Sequence, residues 1–184
     1  EEAEKLGIFV LPMPFYIDGE CFYESVTLSR ELFFEKLAAG ADITTSQPSP
    51  TAVMEIWDKA LEQFEKILYM PISSGLSGSY ETAMMLAKDE AYEGRVLVVD
   101  DGQVAAPLHQ MVLDTLDMIE KGYEAEQIRD LLERAGDRMM IYIALQTLEC
   151  LKKGGRVTPA AAALGSVFHI KPILKLQTGK LDSF

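Results

Sequence analysis

Strand-length apolar runs alternate with amphipathic helical segments through the middle of this chain, and that alternation narrows its architecture more than any other feature. Val53, Ile56, Trp57, Ala60, Leu61 and Phe64 recur at i, i+3, i+4, i+7, i+8 and i+11, which is one apolar face of a helix. Residues 66–72 then form a strand of buried type, 77–91 a helix, and 95–100 another apolar strand that ends in acid. Residues 104–121 read as a helix ended by Gly122, 125–135 as a helix ended by Gly136, and 139–145 as a further strand. Strands that are apolar on both faces need cover on both. The pattern therefore predicts an α/β fold, a mainly parallel sheet flanked by helices.

The N-terminal part has a different rhythm. Residues 7–11 are an apolar run of strand length, and Asp18-Gly19 sits between Phe15-Tyr-Ile17 and Cys21-Phe-Tyr23 as the turn of a short hairpin. Ser29 is placed to cap, and Gly40 to close, a helix carrying Leu32, Phe33, Leu37 and Ala38. The character changes again from Thr147. Residues 148–156 form a short helix with a glycine stop, Thr158-Pro159 opens an Ala-rich helix over 160–164, 167–176 is extended, and Gly179 marks a turn. No closing helix or sheet partner is legible for this last stretch. Residues 1–147 are thus expected to form the α/β domain, and 148–184 the beginning of a second α+β domain, incomplete in this chain.

Charge and composition exclude several classes of function. Seventeen Lys and Arg against 29 Asp and Glu give a net charge of −12, the wrong sign for a nucleic-acid surface. No run of about 18 apolar residues is present, so no membrane insertion is expected, and the start of the chain lacks the order of a signal peptide. A cytoplasmic protein is the expectation. Cys21 and Cys150 have no ligand-like spacing to His109 or His169, which predicts free thiols and no metal site; no cofactor is expected either.

Chemistry concentrates in two turns. Ile72-Ser-Ser-Gly-Leu-Ser-Gly-Ser-Tyr80 joins a strand to a helix, and Ile43-Thr-Thr-Ser-Gln-Pro-Ser-Pro50 precedes another helix. Small hydroxyls, glycine N–H groups and helix N-termini suit one anionic group. From the residues alone the anion stays open, and Thr45 and Ser77 also read as ordinary helix caps. Gly154-Gly-Arg156 lacks the spacing and the Lys-Ser/Thr ending of a nucleotide loop. Neither histidine has a partner suggesting a catalytic pair.

Three segments in order, Thr45-Ser-Gln-Pro-Ser49, the turn from Ile72 to Tyr80, and 148–156 continuing into Ile170-Lys-Pro-Ile-Leu174, together resemble the bacterial DegV family. These are fatty-acid-binding proteins that serve as the acyl-presenting subunit of a fatty acid kinase in phospholipid synthesis. The resemblance implies that Thr45 and Ser77 donate through their hydroxyls, and Gly78 through its backbone, to a fatty-acid carboxylate. It implies a long-chain ligand such as palmitate, stearate or oleate, a partner in the kinase catalytic subunit, and no catalytic residues in this chain. Ala161, Leu164, Phe168 and Ile170 are candidates for the acyl-chain wall or for ordinary core. Arg156 either braces the domain junction or faces the kinase. The family's chains open with a strand ending in Asp-Ser and continue about a hundred residues beyond Leu174, so the resemblance implies a chain short at both ends. Where the family commonly shows Asp-Ser after a later strand, this sequence has Asp100-Asp101. A small-molecule hydrolase or phosphotransferase using Ser77, or a lipid-sensing regulatory protein, are the competing readings.

Overall fold

The structure is a computed structural model, and it describes residues 2–23, 26–146, 148–156, 173–177 and 180–183. Its centre is a parallel pair, β4 (Ile67–Tyr69) beside β5 (Val96–Val98), with Ile67 opposite Val96 and Tyr69 opposite Val98. Alternate residues of this pair enter two different cores. Ile67, Tyr69, Val96 and Val98 pack with Val53 and Trp57 of α3 (Pro50–Leu61) and Ala83 of α4 (Ser79–Leu86). Leu68, Met70 and Val99 pack instead with Met111 of α5 (Ala105–Glu120) and with Ile128 and Leu132 of α6 (Ala125–Gly136). The period of two along each strand, with helices on both faces, is what an α/β fold with a parallel sheet requires.

The helices begin where local chemistry favours it. Ser49 Oγ accepts the backbone N–H of Ala52, with Pro50 in the first turn of α3. Glu124 and Gln127 form a capping box on α6. Ser29 Oγ accepts from Leu32 N at the start of α2 (Arg30–Ala38), and Gly40, at φ 83°, carries the chain out beyond its end.

The predicted hairpin is present as β1 (Pro14–Ile17) and β2 (Glu20–Tyr23). Asp18 and Gly19 both have positive φ, 51° and 85°, as a tight hairpin turn demands. Strand β3 (Ile43–Thr45) lies antiparallel on the other side of β1, with Thr45 opposite Phe15. Phe15, Ile17 and Leu28 make a small third core.

Three expectations need correction. Residues 7–11 form no strand. A short helix α1 (Glu2–Lys5) precedes them, and Phe9 and Val10 are 37% and 62% exposed, with Phe9 meeting Phe64 edge to face rather than joining a ladder. Apolar content of strand length gives a strand only where another strand supplies the hydrogen bonds. The strand predicted over 139–145 exists as β6 (Met140–Ala144), but it pairs antiparallel with β7 (Ile173–Gln177) instead of extending the parallel pair. Its residues alternate between exposed and half-buried, the signature of a strand covered on one face, whereas all of β5 is buried. Finally, the end of the chain does have a sheet partner: β8 (Lys180–Ser183) pairs with β7. Hydrogen bonds of this sheet thus join residues on both sides of the 147/148 boundary. The expected helix over 160–164 and the turn at Gly179 lie outside the described residues. Among the described residues no helix is long and apolar enough to cross a membrane.

One contact ties the second core to the loop after β5. A Cβ added to Gly136, the last residue of α6, would stand 2.0 Å from the carbonyl oxygen of Asp101. Alanine is ordinarily favoured over glycine in a helix by about 1 kcal/mol. Here a backbone oxygen cannot move aside like a flexible side chain, so the overpacking cost of roughly 1–3 kcal/mol or more dominates. Gly136→Ala is expected to lower stability by about 2 kcal/mol in urea titration; a gain in stability would show that the loop yields freely.

Candidate functional site

Parallel pairing brings the two strand-end loops of β4 and β5 to the same edge. They are stitched together there: Ser73 N donates to Gln103 O at 2.8 Å, and Asp100 Oδ1 accepts from Gly102 N at 3.1 Å and, more weakly, from Ser74 N at 3.4 Å. Ser73 is fully buried, and its carbonyl accepts the N–H groups of Leu76 and Ser77. From the other side Arg156, at the end of α7 (Glu149–Lys153) and its glycine stop, donates from Nε to Leu76 O at 3.1 Å and also bonds Gly154 O. Arg156 therefore holds the middle of the Ser73–Ser79 turn. The ion pair of Lys153 with Asp42 anchors the same helix to the segment before β3.

Ser77 and Ser79 are both only 7% exposed, and their hydroxyls lie 2.7 Å apart. Ser77 Oγ also accepts the backbone N–H of Ser79 at 3.2 Å. A hydroxyl carries two acceptor sites and one proton. Either hydroxyl can donate in this pair; when Ser79 donates through both N–H and O–H, Ser77 keeps its proton for a further acceptor. Gly78, exposed, is the N-cap of α4 and no side chain caps it; its own N–H has no acceptor among the described residues. Such a helix start favours a negative group.

Thr45 ends β3 on the exposed side, and among the described residues its hydroxyl makes no hydrogen bond. Its segment reaches the second turn through Gln47. Gln47 Nε2 donates to Thr82 Oγ1 at 2.9 Å, and a Cβ on Gly78 would come within 2.9 Å of Gln47 Oε1. The two hydroxyl-rich turns are thus neighbours. Gln47, Ser79 and Thr82 were not singled out from the sequence. The available signal was that Gln47 stands between two serines and before a proline, a position from which a long amide can reach a neighbouring turn. Ala161, Leu164, Phe168 and Ile170, the candidate acyl-chain wall, lie outside the described residues. A groove of about 360 Å³ between α4, β5 and α6 is a poor acyl slot, because Lys88, Arg129 and Glu133 line it alongside Met84 and Val98. Among the described residues no three His, Cys, Asp or Glu side chains are grouped to hold a metal ion.

Asp101 shows how the departure from Asp-Ser is accommodated. Its Oδ1 accepts the backbone N–H of Gln103 at 2.9 Å, the bond a serine hydroxyl would make in the same turn. The extra oxygen is the difference. Asp101 is 2% exposed, and neither its Oδ2 nor Gln103 Oε1 finds a partner among the described residues. Burial, with Asp100 adjacent as a smaller contribution, raises the Asp101 pKa to about 6, against the pull of the Gln103 N–H.

A model of the family described as an uncharacterised protein of the DegV family matches residues 1–184. A DegV domain-containing protein of Deinococcus radiodurans is 33% identical over 184 residues, which is 100% of this chain and 65% of that protein. A structure described as fatty acid binding of a DegV family protein from Thermus thermophilus superposes with a TM-score of 0.86 at 33% identity, covering 99% of this chain and 65% of that one. The fatty acid kinase B3 protein of Streptococcus pneumoniae, loaded with linoleic acid, superposes with a TM-score of 0.77 over 94% of this chain and 62% of that one; at 20% identity this is a likeness of fold alone. The chain spans 62–65% of the length of these proteins.

The Asp101 environment gives a pH-dependent stability with a definite sign. A carboxyl whose folded pKa is raised from 3.8 to about 6 stabilises the fold below pH 4, and that contribution is lost as pH rises through 6. About two pKa steps correspond to roughly 3 kcal/mol carried as a cost at neutral pH. Asp101→Asn, which keeps the acceptor for Gln103 N, is expected to raise stability at pH 7.5 by about 1–3 kcal/mol and to close that gap by pH 4. Parallel urea curves for the two proteins across this range check it; a gap independent of pH would assign the effect to packing instead.

Proposed function

Because the chain belongs to the DegV family, we propose that it binds a long-chain fatty acid, with the carboxylate held by the Thr45 and Ser77 hydroxyls and the Gly78 N–H. The observation that carries this reading is the junction of two neutral donor turns, one of which presents the exposed Gly78 at the start of α4 beside the Ser77 hydroxyl. A carboxylate withdrawn from water must be matched by hydrogen bonds, and hydroxyls and backbone N–H groups supply them without a fixed positive charge. The description of the Thermus thermophilus relative as fatty acid binding supports the ligand class. Affinity then comes mainly from the tail, at on the order of 0.8 kcal/mol for each buried methylene, while the turns choose the headgroup and fix its orientation.

The protein presents this carboxylate to a separate ATP-dependent fatty acid kinase, which converts it to an acyl phosphate. The resemblance of the three sequence segments supports that step, and the fatty acid kinase B3 protein shares the fold. A hydrolase using Ser77 would need a base beside the hydroxyl. Among the described residues the partners of Ser77 Oγ are the N–H and hydroxyl of Ser79, neither of which is one.

Native mass spectrometry of the full-length protein is expected to show co-purifying fatty acid; protein that is empty and also ignores added palmitate and oleate removes the proposal. A hydrogen bond to a charged group contributes about 1.5–3 kcal/mol, so Thr45→Ala and Ser77→Ala should each weaken oleate binding roughly 10- to 100-fold without unfolding. Unchanged affinity in both would put the headgroup elsewhere. Acyl phosphate should form from ATP and oleate only when a kinase subunit is added, and turnover by this protein alone would favour the enzyme reading.

A further inference from the structure

We infer that Gln47 is a positioning residue that sets the spacing of the two carboxylate-holding turns, acting through Thr82. The inference rests on the proposed headgroup site and goes beyond it by assigning the element that assembles it. Gln47 follows Thr45 by two residues and is partly buried, and its Nε2 donates to Thr82 Oγ1 at 2.9 Å across 35 positions of sequence. Thr82 stands one turn into α4, its own N–H bonded to Gly78 O at 3.0 Å, so its hydroxyl is fixed relative to the helix start. The other end of the same amide, Oε1, lies against Gly78, where a Cβ would approach to 2.9 Å. Both ends of one side chain therefore bear on the first turn of α4, while its backbone continues the strand that ends at Thr45.

The arrangement matters because β3 holds its end of the site weakly. It is three residues long and pairs only with β1 among the described strands, and Pro48 and Ser49 then turn the chain into α3. Donors on separate elements serve one carboxylate only if they stay within hydrogen-bond reach of the same two oxygens, a tolerance of roughly 0.5 Å. The Gln47–Thr82 bond, shielded from water by its partial burial, supplies that constraint. It also explains a glycine at position 78 in a conformation that needs none: φ is −71°, an angle any residue adopts, but a side chain there would displace the Gln47 amide.

Gln47 carries a second Nε2 hydrogen, so direct contact with the ligand is the alternative, and Thr82 separates the two. Binding of oleate and of oleyl alcohol to the full-length protein, measured for Gln47→Met, Thr82→Val, Thr82→Ser and the double Gln47→Met/Thr82→Val, tests the inference. Methionine and valine keep the volume of the residues they replace and remove the bond. Oleate affinity should fall about tenfold in Gln47→Met and in Thr82→Val, no further in the double variant, and less than about twofold in Thr82→Ser, where the hydroxyl remains. Affinity for the alcohol should stay within about twofold throughout, with melting temperatures close to that of the parent, since tail binding and fold are untouched. Thr82→Val protein that binds oleate like the parent, losses that multiply in the double variant, or alcohol affinity that falls with that for oleate would overturn the inference. If oleate binding is lost in Ser77→Ala but kept in Thr82→Val, the headgroup site stands and the clamp is wrong. A parent protein that binds no oleate removes both.

Discussion

Two three-residue strands, hydrogen-bonded in parallel with Ile67 opposite Val96 and Tyr69 opposite Val98, release their chains from the same edge of the sheet. The Ser73–Ser79 side of the candidate site depends on this. Antiparallel strands would send the 72–80 turn and the 100–103 loop to opposite edges, and the bond from Ser73 N to Gln103 O could not form. The pairing holds because its side chains alternate into two cores, one built on α3 and α4 and the other on α5 and α6. A register slip of one residue would send Val96 and Val98 toward α6 and Val99 toward α3, exchanging the contents of both cores. The loops are in this way positioned by burial far from themselves, and short hydrogen bonds complete their shape.

Much of this was legible in the sequence, for identifiable reasons. The periodicity from Val53 to Phe64, the Ser49-Pro50 start of α3, the Asp18-Gly19 turn and the all-apolar β5 are local signals, and each corresponds to an element in the expected place. Residues 7–11 and β6 were misread because the information lies in the partner. Neither the absence of a strand beside Phe9 nor the choice of β7 over the parallel pair for β6 can be read from the segment itself. At the candidate site, the serines, threonine and glycine announced themselves by composition. Gln47 did not, because an amide that joins two turns 35 positions apart looks, in sequence, like any other polar residue.

Position 101 illustrates how tolerant the loop after β5 is. Aspartate reproduces the turn-closing acceptor of the expected serine, so the backbone path survives, and the cost is confined to one buried oxygen. The neighbouring Asp100 accepts from Gly102 in the same turn and reaches across to Ser74. Both adjacent carboxylates thus close the turn they sit in, and Asp100 alone also reaches the neighbouring loop. Because the donors of the proposed headgroup site are neutral, they would offer an anion a local welcome that the overall field of a chain with net charge −12 does not.

Trp57 adds a practical property to the fold. It is the single tryptophan of the chain, 1% exposed, and it meets Tyr69 and Tyr92 edge to face at 5.3 and 5.1 Å between ring centres. Those rings come from β4 and from the segment leading into β5, and the tryptophan itself from the helix that follows the Thr45 turn. An indole in such surroundings emits at short wavelength and receives excitation energy from both phenols at contact range. The intrinsic fluorescence of this protein is consequently a single-site optical gauge of whether α3 is seated on the parallel pair, obtained without attaching a dye.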